Sequence, residues 1–215
     1  MRKEHSLTRE QLHKALAQRH TAAIQEKLDQ AHVAVAGLGG LGSHIAFALA
    51  RIGVGHLHLI DFDVVELSNL NRQQYTAGQI GMYKTEALRE ELREINPFLD
   101  IDTDCVRVTP ENLPGLFQNE TIICEAFDRP QEKAMLANGI LMHFPEKYLV
   151  SASGMAGFGS SNTVITRKAG PHFFICGDGV SDSGNTNGLM APRVMLCAAH
   201  QANMALRLIL GDNTG

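Results

Sequence analysis

The stretch Val33-Ala34-Val35-Ala36-Gly37-Leu38-Gly39-Gly40-Leu41-Gly42 decides how the rest of the chain is read. An apolar strand runs into glycines that let the backbone turn tightly and approach a phosphate. The helix after it would aim its free N–H groups at negative charge. Nineteen residues beyond Gly42, Asp61 closes a second apolar run, Leu57-His58-Leu59-Ile60, where a carboxylate can accept hydrogen bonds from ribose hydroxyls. The glycine spacing alone is a weak signal. With a strand before it, a helix after it and an acid at this distance, it predicts a mononucleotide or dinucleotide site opening a βαβ unit. A glycine turn without a ligand is the bland alternative.

Working outward, Leu12, Ala15, Leu16, Ala22, Ala23, Ile24 and Leu28 recur at helical spacing and predict one leading amphipathic segment, packed on the domain or on a second subunit. After the first strand (33–36), a helix is expected over 42–51 and a second strand over 57–61. The polar connection 62–81 is long for an α/β loop and is therefore a candidate functional segment. A charged amphipathic helix over 84–95 is stopped by Asn96-Pro97. Next come a strand near 101–108, a short helical piece near 113–117, a strand over 121–126, a helix over 130–144 and a strand over 148–152. Beyond a Gly/Ser-rich bend (153–162) the alternation loosens. The runs 163–167 and 172–176 read as strands, with an antiparallel pairing open for them; 177–192 reads as a mobile loop and 194–210 as a closing helix.

The fold class expected is α/β, a doubly wound and mostly parallel sheet with an N-terminal helical segment and a C-terminal extension. With 215 residues, one domain is expected over 1–215: a helical segment 1–30, a nucleotide-binding core 31–156, and an extension with closing helix 157–215. Hydrophobic residues at 44% and charged residues at 20% are ordinary for a folded globular chain and argue against extensive disorder. The net charge of -4 argues against nucleic acid as the main partner, since phosphate binding leaves a basic footprint. No apolar run reaches the ~20 residues needed to cross a bilayer, and residues 1–29 lack a signal-peptide core, so the cytoplasm is the expected location and no membrane partner is expected. The four cysteines, Cys105, Cys124, Cys176 and Cys197, form no C-x-x-C pair, and the ten histidines are dispersed; structural roles are the better reading of both.

The chemistry lies beyond the glycine loop. Ser68-Asn69-Leu70-Asn71-Arg72-Gln73 follows Asp61 and Asp63 at the carboxyl end of the second strand, where ligands bind in such sheets. Arg72 offers a forked guanidinium to phosphate oxygens, and Lys84 a more compact charge. Asp128, just past the strand at 121–126, is a hard oxygen ligand suited to Mg2+, which arrives with ATP phosphates. A hydride-transferring enzyme has no need of this set. Two cations and a metal-binding carboxylate around a nucleotide suit attack on phosphorus. Taken singly, Arg72 and Lys84 read equally well as surface charges, and Asp128 as a helix cap.

The segments Gly37-Leu38-Gly39-Gly40-Leu41-Gly42, Asp61-Phe62-Asp63, Ser68 to Gln73, Gly81-Met82-Tyr83-Lys84 and Glu125-Ala126-Phe127-Asp128 occur in an order that resembles the ThiF/MoeB/E1-like adenylating enzymes. The resemblance covers about 30–156 and implies a Rossmann-like fold. It also implies use of ATP and Mg2+ to adenylate the C-terminal Gly-Gly carboxylate of a small ubiquitin-like sulfur-carrier protein, with release of pyrophosphate. Cys176-Gly177-Asp178-Gly179 and Met190-Ala191-Pro192-Arg193-Val194 look most like the compact ThiF proteins of thiamine biosynthesis, whose carrier is ThiS. Carried over, the resemblance gives Gly37, Gly39, Gly40 and Gly42 to the nucleotide loop and Asp61 to the ribose. Asp63 and Ser68 fall to the same site, Asn69, Arg72 and Lys84 to the phosphates, and Asp128 to Mg2+. Arg72, Lys84 and Asp128 would act in the reaction itself.

Three departures stand beside it. Many relatives carry paired C-x-x-C zinc ligands; this chain has none, so no structural zinc is expected. Of an R-x-x-R pattern that reaches the partner's ATP in a homodimer, Arg19-His20-Thr21-Ala22 keeps only the first arginine, which leaves Arg19 or Arg9 to complete that site. Cys176 is the candidate for a covalent thiol by position and exposure, against an ordinary packed thiol. Other readings are an E1-like enzyme acting on another carboxylate (a molybdopterin-type carrier or a modified tRNA), a non-catalytic nucleotide-dependent binder and, weakest, a nicotinamide-dependent dehydrogenase.

Overall fold

The computed structural model describes residues 7–182, 184 and 188–215. The centre of the loop expected over 177–192 and the first six residues therefore lie outside the described residues. The leading helical segment consists of two helices, α1 (Arg9–His20) and α2 (Ala22–Asp29). They part at Thr21, whose φ of 80° is one a β-branched residue rarely adopts and breaks the helical path. Its hydroxyl accepts the Ile24 N–H and starts α2. α1 buries none of its residues, whereas α2 buries Gln25 and Leu28.

The two apolar runs form β1 (His32–Ala36) and β2 (His56–Ile60), parallel, with Val33 opposite Leu57. Between them α3 (Gly40–Ile52) starts two residues earlier than the sequence pattern implies, directly on the glycines, and ends at Gly53 in the left-handed conformation. Two short 3-10 turns (Leu67–Asn71 and Ala77–Gln79) organise the long connection before α4 (Lys84–Ile95). β3 (Asp100–Asp104) stops well short of residue 108, because its neighbour β2 ends at Ile60, opposite Asp104, and nothing is left to pair with. The remaining elements are α5 (Leu113–Leu116), β4 (Ile122–Glu125), α6 (Pro130–His143), β5 (Tyr148–Ala152), β6 (Ile165–Gly170), β7 (Phe173–Gly177) and α7 (Ala191–Leu210). α7 begins before the expected 194, since Pro192 belongs to its first turn, where its missing N–H costs nothing.

The strands form one sheet in the order β3-β2-β1-β4-β5-β7-β6. All neighbours are parallel except β6 and β7, so the expected antiparallel pairing falls at one edge, while β7 runs parallel to β5 and lies inside the sheet. Alternation along each strand sends Val33, Val35, Leu57 and Leu59 into a core with α3, α4 and α7, and Ala34, Ala36, Ile60 and Ile123 into a second core with α5 and α6. Helices thus cover both faces, as in a doubly wound sheet. Among the described residues no helix is long and apolar enough to cross a membrane.

Candidate active site

Strand order reverses between β1 and β4, and in such sheets the crevice beyond the carboxyl ends at that point takes the ligand. Here it is a cleft of about 800 Å³, within the usual range for a small-molecule site. Its floor is the glycine loop. Gly37 has φ +90°, and a Cβ there would lie 2.9 Å from the Ala126 carbonyl, so the chain turns off β1 only because no side chain is present. Gly42 ends the loop within the first turn of α3. It does not line the cleft, and a Cβ on it would sit 1.8 Å from the Gly37 carbonyl oxygen, so it lets α3 close against the loop.

Asp61, one residue past β2, is buried, and it locks the loop before any ligand arrives. Its Oδ2 accepts the Leu38 N–H at 2.7 Å and its Oδ1 the Asp63 N–H at 2.8 Å, while the Tyr75 hydroxyl donates to the Leu38 carbonyl at 2.8 Å. Burial pushes the Asp61 carboxyl above the usual carboxylate range, against the pull of Lys84 and the two backbone donors. Lys84, also buried, opens α4 with its Nζ 2.8 Å from Asp63 and 4.0 Å from Asp61. Arg72 follows the first 3-10 turn. Its Nη1 donates to the Ser68 carbonyl at 3.2 Å and to Asn71 Oδ1 at 2.8 Å, and its own carbonyl accepts from His44 at 3.1 Å. Asn69 spends its Oδ1 on the Glu66 N–H at 3.0 Å, capping the turn that carries Arg72. Gly37, Gly39, Gly40, Asp61, Asp63, Ser68, Asn69, Arg72, Lys84 and Asp128 all line the one cleft.

Asp128 is exposed at the rim, two residues before α6, and is in no hydrogen bond or ion pair among the described residues. The loop that presents it is fixed from behind by residues to which the sequence assigned no role. Glu125, fully buried at the end of β4, accepts the Phe127 N–H at 2.7 Å and the Ser151 hydroxyl, and pairs with Lys133 Nζ at 2.8 Å. Lys133 also donates to the Phe127 carbonyl at 3.1 Å. Lys133 lies five residues past Asp128, one turn into α6 and facing the cleft, a position helical spacing alone could have flagged. Gln73, quoted in its motif without a role, is buried beside Gly39 with its Oε1 unpartnered.

Cys176 is not the accessible thiol its position before a glycine-rich loop implied. β7 is an inner strand, so Cys176 points into the core with Cys124 and Cys197, and burial pushes its thiol up to about 11 despite a hydrogen bond with Thr166. Cys105 is the one exposed thiol of the four. No group of three or more His, Cys, Asp or Glu side chains that could hold a metal is found among the described residues. For Mg2+ the fit is of another kind: a free hard carboxylate, Asp128, at the mouth of a cleft that could receive phosphate oxygens to complete the ion's shell.

A doubly wound sheet with a locked glycine loop at its switch point, and with cations and an unengaged carboxylate converging on one cleft, has the architecture of the nucleotide-binding α/β proteins. The ThiF family model matches residues 11–215, and the chain belongs to that family. It is 31% identical over 194 residues to the adenylyltransferase and sulfurtransferase UBA4 of Candida glabrata, covering 87% of this chain and 44% of the relative. It is 30% identical over 203 residues to the adenylyltransferase and sulfurtransferase MOCS3 of Culex quinquefasciatus, covering 88% and 44%. The chain thus spans less than half the length of these curated relatives. Among solved structures, E. coli tRNA N6-threonylcarbamoyladenosine dehydratase, TcdA, in complex with ATP, superposes with a TM-score of 0.84 over 94% of both chains. At 22% identity that likeness shows the fold alone.

Proposed function

We propose that the protein is an ATP-dependent adenylyltransferase that activates the C-terminal carboxylate of a small ubiquitin-like sulfur carrier ending in Gly-Gly, forming an acyl-adenylate and releasing pyrophosphate. The observation that carries the reading is the convergence of Arg72, Lys84, Asp128 and the Asp61-locked glycine loop on one cleft. Sulfurtransferase in the names of both curated relatives supports a sulfur carrier as the acceptor class. The thiamine carrier ThiS, favoured by the resemblance of the C-terminal motifs, is one member of that class.

The acceptor carboxylate is anionic at neutral pH and needs no general base. The protein's work is alignment and charge neutralisation. Asp61 accepts from the ribose hydroxyls while its backbone partners hold the loop against the phosphates. Lys84, paired with exposed Asp63 in the free protein, exchanges that partner for phosphate oxygens, and Arg72 supplies a planar fork of donors. Asp128 would hold Mg2+, which when bound neutralises charge on the phosphate oxygens. Of the two N-terminal arginines, Arg9 is engaged with the Phe98 carbonyl and ring, whereas Arg19 is exposed without a partner among the described residues. Arg19 is therefore the one available to reach the site of a second copy in a homodimer.

A modified tRNA as acceptor is the second reading, and a net charge of -4 lends it no support. Intact-mass spectrometry with pyrophosphate release, on protein mixed with ATP, Mg2+ and a Gly-Gly carrier, tests the assignment. A carrier heavier by one AMP is expected. Absence of adduct and pyrophosphate in protein that binds ATP would overturn it and move the test to tRNA.

A further inference from the structure

Two loops, 153–163 after β5 and 178–182 after β7, give Ser153 to Ala156 and Gly179 to Asp182 to the lining of the cleft, and both are tied to one side chain. Arg193, in the first turn of α7, is 6% exposed and does not itself line the cleft. Its Nη1 donates to the carbonyls of Gly159 at 2.8 Å and Ser160 at 2.9 Å. Its Nη2 donates to Thr163 Oγ1 at 3.1 Å and pairs with Asp178 at 2.5 Å. Asp178 in turn accepts the N–H groups of Val180 at 2.9 Å and Ser181 at 2.8 Å, and Ser181 Oγ accepts the Ala156 N–H at 3.1 Å. One guanidinium thus fixes two loops relative to each other. The next residue, Val194, lies against the start of α3: a Cβ on Gly40 would be 2.8 Å from it.

The pair is an expensive way to hold a fold. Both side chains are buried, the Arg193 Nε has no partner, and apolar residues of similar volume often serve stability as well or better. What an apolar residue cannot do is grip two carbonyls, a hydroxyl and a carboxylate in one plane. Asp61, Arg72 and Lys84, proposed for ATP, come from other segments of the lining, which leaves Ser153 to Ala156 and Gly179 to Asp182 to the acceptor.

We propose that Arg193, with Asp178, is a positioning residue for the acceptor: it sets the geometry of loops 153–163 and 178–182 and so governs use of the acceptor carboxylate, leaving ATP binding unaffected. The inference rests on the adenylation reading above. Its test compares wild type, R193K and R193M, measuring ATP affinity by calorimetry separately from pyrophosphate release driven by a Gly-Gly carrier. Misplacement by about 1 Å is enough to cost a reaction on the order of a hundredfold, so R193M should raise the carrier KM or lower kcat by roughly ten- to a hundredfold while ATP affinity stays within about twofold. R193K, with one cationic head and no fork, should fall between, and added guanidinium should partly restore R193M. Parallel loss of ATP affinity and acceptor use, or no loss of either, would overturn the proposal. Should R193M not fold, R193K carries the same comparison. If wild type binds ATP but activates no carrier, the adenylation reading fails on its own, and amide exchange still judges the tie. Loops 153–163 and 178–182 should lose protection together in R193K with 32–60 unchanged, and independent exchange of the two loops would refute it.

Discussion

Replacing Asp61 by asparagine separates binding from folding. In the free protein each carboxylate oxygen holds one backbone N–H, from Leu38 at 2.7 Å and Asp63 at 2.8 Å. An asparagine has one oxygen to offer, and its NH2 then faces the other N–H, leaving a buried donor unmet at a cost of about 1–3 kcal/mol. Against this stands relief from burying a charge. The Asp61 carboxyl is raised in the folded state, so its ionised form disfavours folding, a penalty absent below its unfolded pKa and fully present once pH exceeds the folded one. The asparagine removes that penalty, and the two effects oppose, so a net stability loss of no more than about 1–2 kcal/mol is expected. ATP gains no such relief. It loses a charged acceptor for its ribose, worth about 1.5–3 kcal/mol, which is roughly a ten- to hundredfold weaker Kd. Calorimetric titration with ATP, set beside thermal unfolding of the ligand-free protein, reads both quantities. Wild-type affinity should also fall on acidification before the ordinary carboxylate range is reached, and D61N should lack that dependence. An ATP affinity within about twofold of wild type in D61N would show that Asp61 only braces the loop.

Three further outcomes follow from the same geometry. G42A should fail to accumulate as folded protein, since its methyl group would meet the Gly37 carbonyl oxygen at 1.8 Å; a well-folded variant with wild-type ATP affinity would contradict the close packing of α3 on the loop. Iodoacetamide should label Cys105 alone in the native protein and all four thiols after unfolding, read by peptide mass mapping, and native labelling of Cys176 would revive it as a reactive thiol. The buried pair of His58 and Glu120, 2.8 Å apart, should shape stability against pH. Burial opposes charge on both, but Glu120 and Asp104 raise the His58 pKa and His58 lowers that of Glu120. The histidine's contribution is therefore complete below its ordinary 6.5 and lost as pH rises through the raised value. The carboxylate's is complete above its ordinary 4.5 and lost as pH falls through the lowered one. Urea midpoints should peak between those values, and H58Q should flatten the curve; an unchanged curve in H58Q would refute the coupling.

The positions of the residues proposed for the nucleotide were legible because local rules hold them. The glycine loop follows from the end of an apolar strand, Asp61 from the end of the next, and Lys84 from the start of an amphipathic helix, all within one βαβ unit. Asp128 was legible by the same rule at the end of β4. What failed locally failed where a neighbour decides. β3 ends where β2 does, and Thr21 breaks a helix that periodicity alone would continue.

The pairing of the loops after β5 and β7 was not legible, and the reason is strand order. Loosened alternation after residue 162 is compatible with an edge hairpin whose residues alternate between core and water, which would leave Cys176 accessible. β7 instead inserts between β5 and β6, which buries Cys176 and brings the loops after β5 and β7 side by side above the sheet. Only then does Arg193 acquire partners, 15 residues away at Asp178 and 30 or more away at Thr163, Ser160 and Gly159. The motif around Arg193 can be quoted from the sequence, but no spacing rule connects it to those carbonyls. On the adenylation reading, the substrate whose contacts would be local in the chain is ATP, and the one whose contacts would be assembled across the sheet is the acceptor. That division accounts for a sequence which specifies its nucleotide chemistry closely and its acceptor only by class, and it directs mutagenesis for acceptor choice to 153–163, 178–182 and Arg193, away from the glycine loop.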